Sequence, residues 1–290
     1  IGMNSGITFT GSGELDNGTT FTVTLTDADQ SAYSSGNIVL TTPSMGIIGI
    51  DQGAGGQGID RIDDMIPTAW EETNGTGLNT GLRTVSGVGG STNIEWQPSG
   101  DMIPDGTNVY IAYTPRAGQS GINDKASGGA GNNVSGSGWD IVVKSTNLAD
   151  GLTAYAGYSV VDQIQVSGDK SDDQVSWAIG GNYAVGALTI GYEMSEEDLN
   201  DDAVSMYENT LYGVSYSVND DLSISWGHAE SEKGNVGSAN VTSETDSIQI
   251  SYTMGGATFV LAQTSADDAL YASGTGGDKD GRTLRMSLAF

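Results

Sequence analysis

Apolar residues fall on every second position along most of this chain, and few folds can use that pattern. Val109, Ile111 and Tyr113 share one parity, as do Trp139, Ile141 and Val143. The series continues through Val175, Trp177, Ile179 and Tyr183, then Leu188, Ile190, Tyr192 and Met194, then Tyr212, Val214, Tyr216 and Val218. Leu222, Ile224 and Trp226 follow, then Ile248, Ile250 and Tyr252, then Phe259 and Leu261. The last segment places Leu284, Met286, Leu288 and the terminal Phe290 on one parity and Arg285 on the other. Positions of opposite parity are mostly Ser, Thr, Gly, Ala and Asn. A period of two belongs to the extended strand, whose successive side chains point to opposite faces, so the chain reads as all-β.

A sandwich of two sheets also alternates, and the connections decide between the two architectures. Tight turns read at Asp16-Asn17-Gly18, Leu148 to Gly151, Val185-Gly186, Asn219 to Asp221 and Met254 to Gly256. The last four recur about every 35 residues, with longer polar segments between them at 115–137, 163–172, 196–205, 231–244 and 266–281. Short turns at one end and long loops at the other describe a transmembrane antiparallel β-barrel of the bacterial outer membrane. Aromatics near strand ends, such as Tyr113, Trp139, Trp226, Tyr252 and Phe290, suit its interfacial girdles. No apolar run approaches the roughly 18 residues of a membrane helix. A mean hydropathy of −0.23 fits a barrel, because only every second strand residue meets lipid. Alternation marks about fifteen strands, at 3–15, 19–27, 37–43, 45–51, 93–98, 107–115, 138–146, 152–161, 173–185, 187–195, 206–218, 222–230, 245–254, 257–265 and 282–290. The first runs down into a short turn, and barrels of this class carry even totals, so about sixteen strands are expected, with one missing before the first. Residues 1–290 then form a single barrel domain.

Charge and composition exclude several classes. With 37 acidic residues against 10 basic and a formal net charge of −27, the chain lacks the basic stripe that nucleic acid requires. The absence of Cys rules out disulfide staples, zinc–thiolate clusters and thiol catalysis. His228, the sole histidine, shares parity with Leu222, Ile224 and Trp226, so it faces outward and not toward a serine nucleophile. Gly53 to Gly58 is glycine-rich but opens no strand–turn–helix, so it is no phosphate loop. No enzymatic activity and no required cofactor are expected. Structural Ca²⁺ is the one candidate ion, with Asp198, Asp201 and Asp202, or Asp267, Asp268, Asp278 and Asp280, as oxygen donors.

Residues 52–92 make the longest break in the alternation, and long connections of this kind usually carry function. Ile59, Ile62 and Ile66 stand at helical spacing there, and Pro67 is expected to end the helix. Asp60, Asp63 and Asp64, followed by Glu71 and Glu72, concentrate carboxylates in the same stretch. Gly55 to Asp63 matches a single calcium-binding β-helix nonapeptide, but one copy has nothing to stack on.

These stretches carry a family resemblance. The chain resembles Gram-negative general diffusion porins, most closely the alphaproteobacterial type. The match lies in GSGELDNG (Gly11 to Gly18) at a descending strand and first turn, in GIDRIDDMIPTAW (Gly58 to Trp70) after the fourth strand, and in the C-terminal Phe290. The resemblance implies a homotrimer in outer-membrane lipid and lipopolysaccharide, a terminal aromatic that guides assembly, and a loop at 52–92 folded into the pore as its constriction. It implies passive diffusion of small hydrophilic solutes and ions. An adhesin or receptor barrel and a substrate-specific porin are the alternatives. By position, Asp60, Asp63, Asp64, Glu71 and Glu72 become the acidic side of the constriction, and Arg83, Arg116, Lys144 and Arg285 the basic side. A surplus of acid points to a preference for cations.

Overall fold

The computed structural model of the protein describes residues 6–28, 35–117, 135–163, 172–200, 203–274 and 276–288. Phe290, Asp201 and Asp202 lie outside the described residues. Among the described residues are fifteen strands: β1 (Gly6–Glu14), β2 (Thr20–Ala28), β3 (Ser35–Thr42), β4 (Gly46–Gln52), β5 (Asn93–Gln97), β6 (Thr107–Thr114), β7 (Ser135–Ser145), β8 (Leu152–Gln163), β9 (Gln174–Val185), β10 (Leu188–Asp198), β11 (Val204–Asn219), β12 (Leu222–Asn235), β13 (Val241–Met254), β14 (Ala257–Asp267) and β15 (Lys279–Leu288). They form one antiparallel sheet whose hydrogen-bonded order follows the sequence from β1 to β15 without a crossover. Each strand read from the alternation is present.

Short turns are closed by their own side chains. Asn17 Oδ1 accepts the Thr19 N–H at 3.0 Å, and Asn219 Oδ1 accepts the N–H groups of Asp221 and Leu222 at 2.9 Å each. Such Asx turns supply a hydrogen bond that the strands can no longer make to each other. At the opposite ends the strands outrun the expectation. β12 continues to Asn235, β13 starts at Val241, and β15 starts at Lys279. Beyond Val241, side chains there are polar or charged on both faces, so alternation disappears while the backbone ladder continues. A membrane needs only about 9–11 residues per tilted strand, which β11, with 16 residues, exceeds.

The two strand faces reverse the polarity of a soluble β-protein. Ile248, Leu261, Leu284, Tyr192 and Trp226 are exposed, whereas Asp51, Asp140, Glu193 and Glu197 are fully buried. Burying a carboxylate is costly unless donors surround it, and large apolar side chains stay exposed in such numbers only beside an apolar medium.

Contacts group the chain into two compact units. The first comprises Ile1–Ile62, Ser86–Ser145 and Ala156–Trp177. Its apolar core is a small cluster of Val88, Ala112, Ala117 and Val161, and Ile59 and Ile62 lie over Gly157, where a Cβ would come within 3.0 Å of both. The second comprises Asp63–Val85, Thr146–Tyr155 and Ala178–Phe290. There Ile66 packs on Leu211, Ala229 and Leu82. Both cores lie beneath parts of the 53–92 segment.

That segment corrects one expectation. The helix is a 3-10 turn, Gly58–Ile62, and it stops well before Pro67. Beyond it the backbone bonds sideways instead of along a helix: Met65 N–H donates to Glu193, and Met65 C=O accepts from Asn182 Nδ2 at 2.6 Å. Ile59, Ile62 and Ile66 are buried as their spacing suggests.

Ile248 tests the polarity of the faces. It is 56% exposed at the centre of β13, where a soluble protein would accept a charge. Ile248→Arg is expected to cost about 2–4 kcal/mol in reversible urea unfolding from lipid vesicles, the penalty for a midplane arginine. An unchanged unfolding midpoint would contradict a lipid-facing assignment.

Candidate functional site

In the first unit, strand carboxylates collect the amides of the 3-10 turn. Asp140 on β7 accepts the N–H groups of Ile59 at 2.9 Å and Val88 at 3.1 Å through one oxygen. Gly58, at φ +59°, brings the chain so close that a Cβ would collide with that carboxylate. Glu95 on β5 accepts Gly58 N–H at 2.8 Å and forms an ion pair with Arg61, whose guanidinium lies 4.1 Å from the Tyr110 ring centroid. Asp60 accepts Gly56 N–H at 2.7 Å. Burial pushes its carboxyl above the usual range, against that hydrogen bond and the nearby Arg61 charge.

In the second unit, residues 65–77 hydrogen-bond to six strands, the first through the Asn182 amide of β9 on Met65 C=O. Glu193 on β10 accepts Met65 N–H at 3.1 Å and the Tyr155 hydroxyl at 2.8 Å. Ser225 on β12 accepts Ala69 N–H at 2.9 Å. Gln249 on β13 accepts the Trp70 and Glu71 amides at 3.1 Å each, and its Nε2 donates to Glu71 C=O at 2.7 Å. Thr264 on β14 bonds Thr76, and Thr283 on β15 donates to Thr76 C=O at 2.6 Å. Farther along, Arg83 is paired with buried Glu197 on β10, and its guanidinium lies 5.0 Å from the Tyr207 ring centroid.

The residues singled out from sequence are distributed as follows. Asp63 accepts the Thr84 hydroxyl at 2.7 Å. Asp64, Glu71 and Glu72 come together, with Arg285 of β15 close enough to act on Glu71 electrostatically. A hydrogen bond with Glu72, then burial, then repulsion by Glu72 raise the Glu71 carboxyl to about 7, against the pull of Arg285. Burial also disfavours charge on Glu72, but hydrogen bonding with Glu71, its own backbone N–H and Asp64 holds it below the normal range. Glu71 and Glu72 thus behave as a pair sharing a proton near neutrality. Arg83 is engaged by Glu197, Arg116 follows β6, and Lys144 lies opposite Asn108 near the turn after β7.

Among the described residues no group of three acidic or imidazole side chains is placed to hold a metal. Asp198 accepts Asn200 N–H at 3.0 Å, and Asp268 accepts Gly274 N–H at 2.9 Å, so both close local turns. Asp267 ends β14, exposed. His228 stacks on Tyr212 with ring centroids 4.8 Å apart, and its Nδ1 lies 3.2 Å from Asp246 across the strand pair.

Sequence reasoning passed over the residues that grip the segment: Glu95, Asp140, Glu193, Glu197 and Gln249. A signal was there. Glu95 stands between Ile94 and Trp96, Asp140 between Trp139 and Ile141, Glu193 between Tyr192 and Met194. A carboxylate flanked on both sides by lipid-type side chains is an inward carboxylate that needs donors.

No family model and no curated protein matches the chain. Solved structures do. Salmonella typhi OmpF, in a complex with daunomycin, is 15% identical over 98% of this chain and 89% of its own, with a TM-score of 0.69. An anion-selective porin from Comamonas acidovorans is 13% identical over 98% and 89%, at a TM-score of 0.65. OmpT, an outer membrane protein of Vibrio cholerae, in its trimer form, is 13% identical over 99% and 87%, at 0.62. The likeness is one of fold: this chain has the antiparallel fold of the Gram-negative porin barrels.

Asp140 is the sharpest test of the anchoring. Asp140→Ala strands two buried amides, at about 1–3 kcal/mol each, and is expected to lower stability by about 2–4 kcal/mol. Limited proteolysis should then cut first within 53–92. Unaltered stability and cleavage would show that the carboxylate does not hold the segment.

Proposed function

We propose that the protein is an outer-membrane channel for passive diffusion of small hydrophilic solutes and ions, with a preference for cations. The reversal of polarity between the strand faces carries this reading. An exposed apolar face suits lipid, and a face that buries Asp140, Glu193 and Glu197 suits a polar, hydrated interior. The fold shared with Salmonella typhi OmpF supports it, and the trimer form of OmpT supports a homotrimer set among outer-membrane lipid and lipopolysaccharide. The reading involves no covalent chemistry and no cofactor.

Fold does not set the sign of selectivity, since one protein of similar fold is anion-selective. Charge does. The chain holds 37 acidic residues against 10 basic, and both described arginines of the long segment, Arg61 and Arg83, are neutralised by strand glutamates. That leaves Asp60, Asp63, Asp64, Glu71 and Glu72 to attract cations, with Arg285 as the opposing charge. We assign the constriction to this segment.

In a planar bilayer the protein is expected to conduct KCl, and the reversal potential in a KCl gradient should show cation preference. No conductance would sink the channel reading, and anion preference would refute the charge argument alone. Replacing Asp60, Asp63, Asp64, Glu71 and Glu72 by their amides should move the reversal potential toward zero.

A pH profile tests the Glu71–Glu72 pair. Glu71 rises from 4.5 to about 7, so the pair carries one charge below neutrality and two above it. Cation preference should therefore increase as pH rises through 7, and Glu71→Gln should flatten that step. Stability runs the other way: between 4.5 and about 7 the folded chain holds a proton that the unfolded chain releases, so this group's contribution falls as pH rises.

A further inference from the structure

Within the first unit, a cavity of about 170 Å³ lies between the 3-10 turn and the faces of β3 to β6 that bear the long segment. We propose that it is a binding subsite for a small neutral polyhydroxylated solute, the chemistry of glycerol or of one edge of a sugar. The proposal deepens the channel reading by naming a class of solute that would pause on its way through.

The lining defines that class. Val39 and Ile47 supply an apolar side. Gly49 keeps the floor open: a Cβ there would touch the Gln57 carboxamide at 3.7 and 3.8 Å, an ordinary contact, so a longer side chain would fill the space. Arg61 and Gln57 line it as well. The Arg61 guanidinium is fixed by Glu95 on one side and the Tyr110 ring on the other, yet its Nε–H is buried with no partner in the protein. Gln57 Oε1 is likewise buried and unpartnered. Neither atom is open to the cavity as the side chains stand, but a buried donor and a buried acceptor without partners each cost about 1–3 kcal/mol, so a solute toward which the two side chains turn is rewarded for supplying both.

Electrostatics removes the charged alternatives. Arg61 is neutralised by Glu95, and the second Glu95 oxygen is committed to Gly58 N–H, so no net charge remains to hold an anion and no spare carboxylate to hold a cation. Gln97 has its Nε2 on Asn108 Oδ1 at 3.0 Å, which leaves an acceptor on its carboxamide. A hydroxyl both donates and accepts, and the carbon to which it is attached can rest on Val39 and Ile47. On the scale where a cavity of roughly 150 Å³ admits benzene, this one takes about six non-hydrogen atoms.

Saturation-transfer NMR on the folded protein in amine-oxide micelles tests the assignment, with glycerol, acetate and tetramethylammonium as separate probes. Glycerol should give a saturable signal and the two ions none. Gly49→Leu, which fills the cavity, and Gln57→Leu, which removes the acceptor, should each weaken glycerol binding about tenfold, as the loss of one hydrogen bond predicts. Heat-shifted gel mobility checks that each variant folds, and Gln57→Leu decides if Gly49→Leu does not. Equal glycerol signals in wild type and variant, or a signal from either ion as strong as that from glycerol, overturn the proposal. KCl conductance of the same samples separates the two readings. Glycerol binding without current keeps the subsite and removes the channel, and current without glycerol binding does the reverse.

Discussion

Backbone amides that belong to no ladder must still find acceptors when they leave water. Residues 53–92 pair with no strand along their length, and in each unit side chains of the strands they cover take several of their amides. Asp140, Glu95, Glu193, Ser225 and Gln249 each accept one or more of those amides. The strand carboxylates gain from the same contacts, since each N–H accepted offsets part of the cost of burial, while one oxygen each of Asp140 and Glu193 stays buried without a protein partner. Segment and strand face are mutually dependent: each supplies hydrogen-bond partners to the other.

That arrangement fixes where charge resides. Both arginines described on the segment are paired to strand glutamates and flanked by a tyrosine, so their charges serve position and have little reach. The strand acids are spent as well. The segment's own acids are left to shape the field, and one pair of them shares a proton close to neutral pH.

Sequence and structure agree best where the period of two is clean. The order of fifteen strands and their turns follows from it, because Tyr192, Glu193 and Met194 must point to alternating sides whatever surrounds them. Agreement fades at the ends of β12, β13 and β15, where both faces are polar and nothing alternates. It fails at Ile59, Ile62 and Ile66. Helical spacing announces their burial correctly, but the partner that cuts the helix short, Glu193, lies 128 residues from Met65 and leaves no local trace. The acidic cluster was legible as composition. Its anchors were legible only in part: parity turns Glu95, Asp140 and Glu193 inward, but which distant amide each one accepts leaves no mark in the sequence around it.

The span of these anchors also sets an order of events during folding. Adjacent strands meet through tight connections, so the sheet can grow by local zipping, with little loop entropy to overcome at each step. The segment's contacts are of another kind, with separations of 37 residues to Glu95, 156 to Ser225 and 207 to Thr283. Its last partners do not exist until the final strands are in place. Docking of the segment is therefore a late event, and a nascent sheet is open along the face that the segment later covers.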